Sequence, residues 1–159
     1  MGAAGSVLIH GPAPPDPPET ISRDRQGRAT IRAVRIEEPL TVDGRLEESV
    51  YRNIRSIGGF IQQEPHEGEP ATEKTEVWFL FDNNNVYVLA RCWDSHPERI
   101  VANEMRRDGR NITQNDHFAV ILDPFYDRRN AFYFYTNPLG GLVDGQIIDE
   151  SNANRDWNP

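Results

Sequence analysis

An all-β protein is expected from three features of this sequence. Short apolar runs recur along residues 29–150, some alternating with polar residues and some apolar on both faces. Turn-forming clusters of Asn, Asp, Gly and Pro separate them. Helical spacing is held for little more than two turns, at Leu46, Val50 and Ile54. Short strands at this spacing predict a β-sandwich of the immunoglobulin-like or jelly-roll kind.

Taken in order, the chain begins with MGAAGSVLIHG, which has no basic n-region and only a very short apolar core, a poor secretory signal as it stands. Residues 11–28, GPAPPDPPETISRDRQGR, are dense in proline and charge. Such a segment buries too little apolar area to offset its ordering entropy, so residues 1–28 are expected as a disordered, Pro-rich linker and the domain is expected to begin at Ala29. TIRAVRI then alternates as a half-buried strand does. Asp43-Gly44 marks a turn, and a short helix follows it.

TEVWFLFDNNNVYVLARCWD, residues 75–94, reads as a hairpin around Asp82-Asn83-Asn84-Asn85. Both faces of its first run are apolar, with Val77, Phe79 and Phe81 against Trp78 and Leu80, which predicts a central strand. HFAVILDPF is a second doubly apolar strand, ended by Pro124. NAFYFYT and LVDGQIID follow, joined by the turn Asn137-Pro138-Leu139-Gly140-Gly141.

Composition narrows the function. The 159 residues suit one domain plus a tail, with 37 % hydrophobic and 26 % charged residues. The net charge of −8 repels phosphate backbones, which argues against a nucleic-acid partner and fits a soluble domain that binds neutral ligands or cations. No apolar run is long enough to span a bilayer as a helix. A single cysteine, Cys92, leaves no intrachain disulfide, and its place inside a predicted strand reads as a buried, inert thiol.

Catalytic patterns are missing. His10, His66, His96 and His117 are scattered without HExxH or His-x-His spacing. There is no GxSxG, phosphate-binding loop or dinucleotide fingerprint. A glycosidase acid pair is defined by a spatial separation of about 5–10 Å, which sequence does not supply. Asp116, Asp123, Asp144 and Asp149 read as turn caps and solvated edges, with an oxygen-ligand calcium site as the functional alternative. Asn111-Ile112-Thr113 is a formal glycosylation acceptor of the kind common by chance.

The aromatic residues are more informative. In the strand at 131–136, Phe132 and Phe134 share one face, and Tyr133 and Tyr135 the other. Phenylalanine lacks a polar handle and is expected in the core. Tyrosine can offer ring and hydroxyl to a partly wet surface, where the apolar C–H face of a pyranose would stack. Simple packing of the tyrosine pair is the alternative.

PLTVDGRLEESVY, TEVWFLFDNNNVYVLARCWDS, RIVANEMRRDG, NDHFAVILDPFYDRRNAFYFYTNPLGGLVDGQIIDE and NRDWN occur in one run. In order and spacing they resemble the carbohydrate-binding family 9-like, DOMON-related domain that stands N-terminal to a bacterial domain expected to form an outer-membrane β-barrel. The resemblance covers residues 29–159. It implies a non-catalytic carbohydrate-binding module with a polysaccharide or oligosaccharide ligand. It also implies export to the periplasm, cell surface or medium, and a C-terminal membrane barrel as partner domain. No cofactor is implied beyond structural calcium. Tyr133, Tyr135, Trp93 and Asn137 are the candidate carbohydrate contacts.

The family domain continues past DWN, so a sandwich without its C-terminal strands is expected here. The sugar-binding branch carries a tryptophan where this chain reads NITQNDHF, and Tyr51 replaces the family's usual tryptophan after DGRLDE. A structural appendage with no glycan ligand is the second reading, and part of a glycoside hydrolase is the third.

Overall fold

The protein is described by a computed structural model over residues 10–157. Residues 1–9, most of the stretch read as a poor secretory signal, lie outside the described residues. The all-β expectation holds: the described residues form nine strands in three sheets, with one four-residue α-helix and two single 3-10 turns. The chain divides into two compact units, the first running to Ser95 and the second starting at His96.

The first unit opens with β1 (Ile21–Arg23), antiparallel to β2 (Ala29–Ile31) in a two-stranded sheet. The segment expected as a linker through residue 28 therefore carries a strand. Turn chemistry inside the charged run accounts for it. Asp24 accepts hydrogen bonds from the Gln26 and Arg28 amides at 2.9 and 3.0 Å and from the Arg28 guanidinium at 2.7 Å, while Gly27 takes the positive φ of 77°. TIRAVRI is expected as one strand but divides between β2 and β3 (Val34–Arg35), because β3 pairs in parallel with a different strand, β4 (Thr75–Phe81).

β4 is the central strand of that second sheet, with β5 (Val86–Cys92) antiparallel on its other side. The Asp82–Asn85 turn closes the pair, and the Asp82 carboxylate accepts from the Asn84 and Asn85 amides at 2.7 Å each. Leu80 is fully buried, which is worth about 2 kcal/mol relative to exposure. Around it pack Ile36, Tyr51, Trp78 and Tyr87. Tyr51 enters from α1 (Val50–Asn53), the short helix expected from the Leu46–Val50–Ile54 spacing. Its ring meets Trp78 edge-on at 5.5 Å, and the Trp78 indole donates to the Ile54 carbonyl at 3.0 Å. Cys92 corrects the buried-thiol expectation. It is the last residue of β5 and its free thiol is exposed, because the strand ends there and leaves the sheet's cover.

The second unit is one antiparallel sheet in the order β6 (Phe118–Leu122), β7 (Ala131–Thr136), β8 (Leu142–Ile148), β9 (Asn152–Asn154). β6 is an edge strand of this sheet, and Ala119 and Ile121 are exposed on one of its faces, although its sequence is apolar throughout. Its small buried cluster is Ile112, Tyr133 and Val143. Ile112 comes from the 3-10 turn Ile112–Gln114 ahead of the sheet.

A candidate glycan cleft on the second sheet

The Asn137 turn sets the register of β7 against β8. Asn137 is buried, and its side-chain oxygen accepts from the Leu139 and Gly141 amides at 3.1 and 2.8 Å. Its amide donates to the Glu104 carbonyl at 2.6 Å and to Asn115 Oδ1 at 3.2 Å. Gly140 supplies the left-handed residue, φ 79°. Gly141 allows the Glu104 backbone to approach, since a Cβ there would lie 2.5 Å from the Glu104 carbonyl oxygen. Asn115 is the other half of this hub. Its Oδ1 takes the Asn103 and Glu104 amides at 2.8 and 3.0 Å, and its amide donates to Asn103 and to the Asn111 carbonyl. The loop at 103–115 is thereby fastened over one end of the sheet. The doubly bonded Arg106 guanidinium and the Arg106 amide hold the Glu104 carboxyl below the usual carboxylate range.

With register fixed, Tyr133 stands directly across from Gly145 and Tyr135 across from Val143. A side chain on Gly145 would overlap the Tyr133 ring and hydroxyl, so the missing Cβ lets that ring lie over β8. Tyr135 meets Tyr133 edge-on at 5.7 Å and meets the His117 ring at 5.4 Å. These two tyrosines, with Ile112, Val143 and Ile147, form the apolar floor of a cleft of about 280 Å³. Its rim is polar: Asp108, Arg110 and Thr113 on one loop, and Glu150, Ser151 and Arg155 around β9. An apolar floor with an aromatic wall and a ring of hydrogen-bonding groups suits a small, amphipathic ligand.

The two faces of β7 separate as the alternation predicts, and Tyr135 is half-buried as expected, but Tyr133 is more buried than either phenylalanine. Tyr133 is 7 % exposed and belongs to the buried cluster, whereas Phe132 and Phe134 are half-buried. Trp157 covers the phenylalanines, at 4.7 Å from Phe132 and 6.2 Å from Phe134. Gly145 is the physical reason, because it gives Tyr133 a place to bury its ring.

The other candidates fall elsewhere. The polar atoms of the Asn137 side chain are committed to the turn and the hub, so it is a structural residue. Trp93 lies in the first unit, half-exposed, with the Lys74 ammonium 5.7 Å from its ring centroid. Lys74 lines a separate groove of about 240 Å³ with Phe60, Glu73 and Glu76. The Lys74–Glu76 contact, 2.9 Å, holds the Glu76 carboxyl below its ordinary range. Sequence reading missed Arg110, Ser151 and Arg155, which carry no pattern of their own, and met Thr113 only as the end of a glycosylation triplet; all four reach the tyrosines only through the fold.

The aspartates read as turn caps and edges have protein partners. Asp116 accepts the Val101 amide, Asp123 the Phe125 and Arg128 amides, Asp144 the Arg107 guanidinium and Asp149 the Arg129 guanidinium. Among the described residues no three His, Cys, Asp or Glu side chains converge as a metal-binding group. No helix among them is long and apolar enough to cross a membrane. No family model, curated protein or solved structure matches the chain.

Proposed function

We propose that the chain is a non-catalytic carbohydrate-binding module and that the cleft over Tyr133 and Tyr135 is its binding site. The observation that carries this reading is the placing of the tyrosine pair. Alternation puts them on one face, and that face floors a cleft with hydroxyl, carboxylate and guanidinium groups at its rim. A sugar ring has the matching anatomy, with an apolar C–H face and a polar circumference. The resemblance to carbohydrate-binding family 9-like domains, residues 29–159, points the same way. It also brings the immunoglobulin-like or jelly-roll arrangement, an exported location and a membrane-barrel partner domain into the proposal.

The binding set is Tyr133 and Tyr135 for the stacking floor, with Thr113 and Ser151 as hydroxyl partners. Stacking of this kind and a few rim hydrogen bonds support affinities in the micromolar to millimolar range, about −4 to −8 kcal/mol. Calorimetric titration against an oligosaccharide panel tests it. Heat of binding that disappears in a folded Tyr135→Ala variant is expected. A folded wild-type chain that binds no member of a broad panel leaves the structural-appendage reading in its place.

A further inference from the structure

The charged groups lining the cleft, two carboxylates and two guanidiniums, do not pair with one another. Its two carboxylates have cationic neighbours that they share: Asp108 lies 3.6 Å from the Arg107 guanidinium, which also pairs with Asp144 at 2.8 Å, and Glu150 lies 3.8 Å from that of Arg129, which also pairs with Asp149 at 2.8 Å. Its two guanidiniums, Arg110 and Arg155, have no such relief. Among the described residues neither side chain donates a hydrogen bond or forms an ion pair. This happens in a chain with 25 acidic and 17 basic residues, where carboxylates for pairing are in excess. The two arginines reach the cleft from separate segments, Arg110 ahead of the 3-10 turn Ile112–Gln114 and Arg155 just after β9.

We infer that this cleft takes an acidic sugar, one carrying a carboxylate or a sulfate ester, with Arg110 and Arg155 receiving the anion while Tyr133 and Tyr135 receive the ring. The inference rests on the carbohydrate-binding reading above and sharpens its ligand class. Guanidinium groups bind carboxylate and sulfate oxygens through paired N–H donors, which are stronger than neutral hydrogen bonds and geometrically specific. A half-enclosed cleft strengthens the attraction over that of an open surface, because less water screens it. The net charge of −8 would weaken long-range steering of such a ligand. The local pair of unpaired cations decides what is held once it arrives.

Calorimetry with four probes tests this: a galacturonic acid trisaccharide, its neutral methyl ester, galactose 6-sulfate and galactose. The acid is expected to bind roughly tenfold more tightly than the ester, a preference that shrinks as salt is raised. Arg110→Gln and Arg155→Gln should each remove most of that preference while leaving the weak binding of the ester in place. Preference for the sulfated sugar alone assigns the anion to a sulfate ester and supports the inference. Equal binding of charged and neutral partners overturns it and leaves the glycan module standing. No binding of any of the four by the folded protein, nor of any sugar in a broad panel, removes the glycan module and the acidic ligand together.

Discussion

Tyr133 on β7 lies over Gly145 on β8, its partner across the antiparallel pair. The contact buries the tyrosine ring on the sheet and builds the cleft floor in the same step. A methyl group at residue 145 has no free space, since it would meet the Tyr133 ring and hydroxyl. Gly145→Ala is expected to cost about 1–3 kcal/mol, the usual range for overpacking. Urea denaturation reads the loss. An unchanged midpoint would mean that the ring does not rest on this glycine.

The asparagine hub holds the loop that forms one wall of the cleft. Asn115 satisfies two backbone amides with a single oxygen and donates twice from its nitrogen. Replacing it with alanine strands the Asn103 and Glu104 amides, so Asn115→Ala is expected to cost on the order of 3 kcal/mol. Hydrogen exchange should then show the amides of residues 103–115 losing protection before those of β7. Protection that falls evenly across the unit contradicts a hub role.

Tyr51 predicts the opposite sign. It is 7 % exposed in the core of the first unit, and its hydroxyl has no hydrogen-bond partner among the described residues. Burial, with smaller contributions from the Glu48 and Asp43 charges, pushes that hydroxyl above the ordinary tyrosine range. Tyr51→Phe keeps the edge-on contact with Trp78 and removes the orphaned group. It is expected to stabilise the protein by about 1 kcal/mol, seen as a higher melting temperature. A lower melting temperature would show that the hydroxyl is satisfied.

Acid stability has a source at the β4–β5 turn. The Asn84 amide first, then the Tyr87 hydroxyl at 2.7 Å, draw the Asp82 carboxyl down to about 2. The folded value lies below the unfolded one, near 4, so the stabilisation is fully present above about pH 4 and is lost as pH falls toward 2. Asp82→Asn should flatten the stability profile across that window. The same hydrogen bond raises the Tyr87 hydroxyl, so the variant should also let Tyr87 ionise at lower pH in an ultraviolet titration. Identical profiles for variant and wild type would contradict the assignment.

Much of this fold is legible in the sequence because its signals are local. The β4–β5 hairpin, its Asp-Asn-Asn-Asn turn, the short helix at Val50–Asn53 and the limits of β7 and β8 follow from apolar runs and the turn residues between them. What escapes is either masked by composition or non-local. The β1–β2 hairpin is hidden in a proline-rich, charged segment because Asp24, one side chain, organises its turn. The split of TIRAVRI depends on which strands its two halves meet.

The site divides the same way. Alternation finds the tyrosine face, but burial on that face depends on Gly145, which is twelve residues downstream and adjacent only through register. Asn137 is marked by its turn and could pass for a ligand group until its four partners are seen. Arg110 and Arg155 carry no pattern, and their importance rests on the carboxylates they do not meet.

The most direct test of the central claim is a backbone-amide NMR titration of the chain with an acidic and a neutral oligosaccharide. Binding at the cleft predicts shifts concentrated at residues 108–113 and 150–155 and on Tyr133 and Tyr135. Shifts centred on Trp93 and Lys74 instead, or none with either sugar, would contradict it.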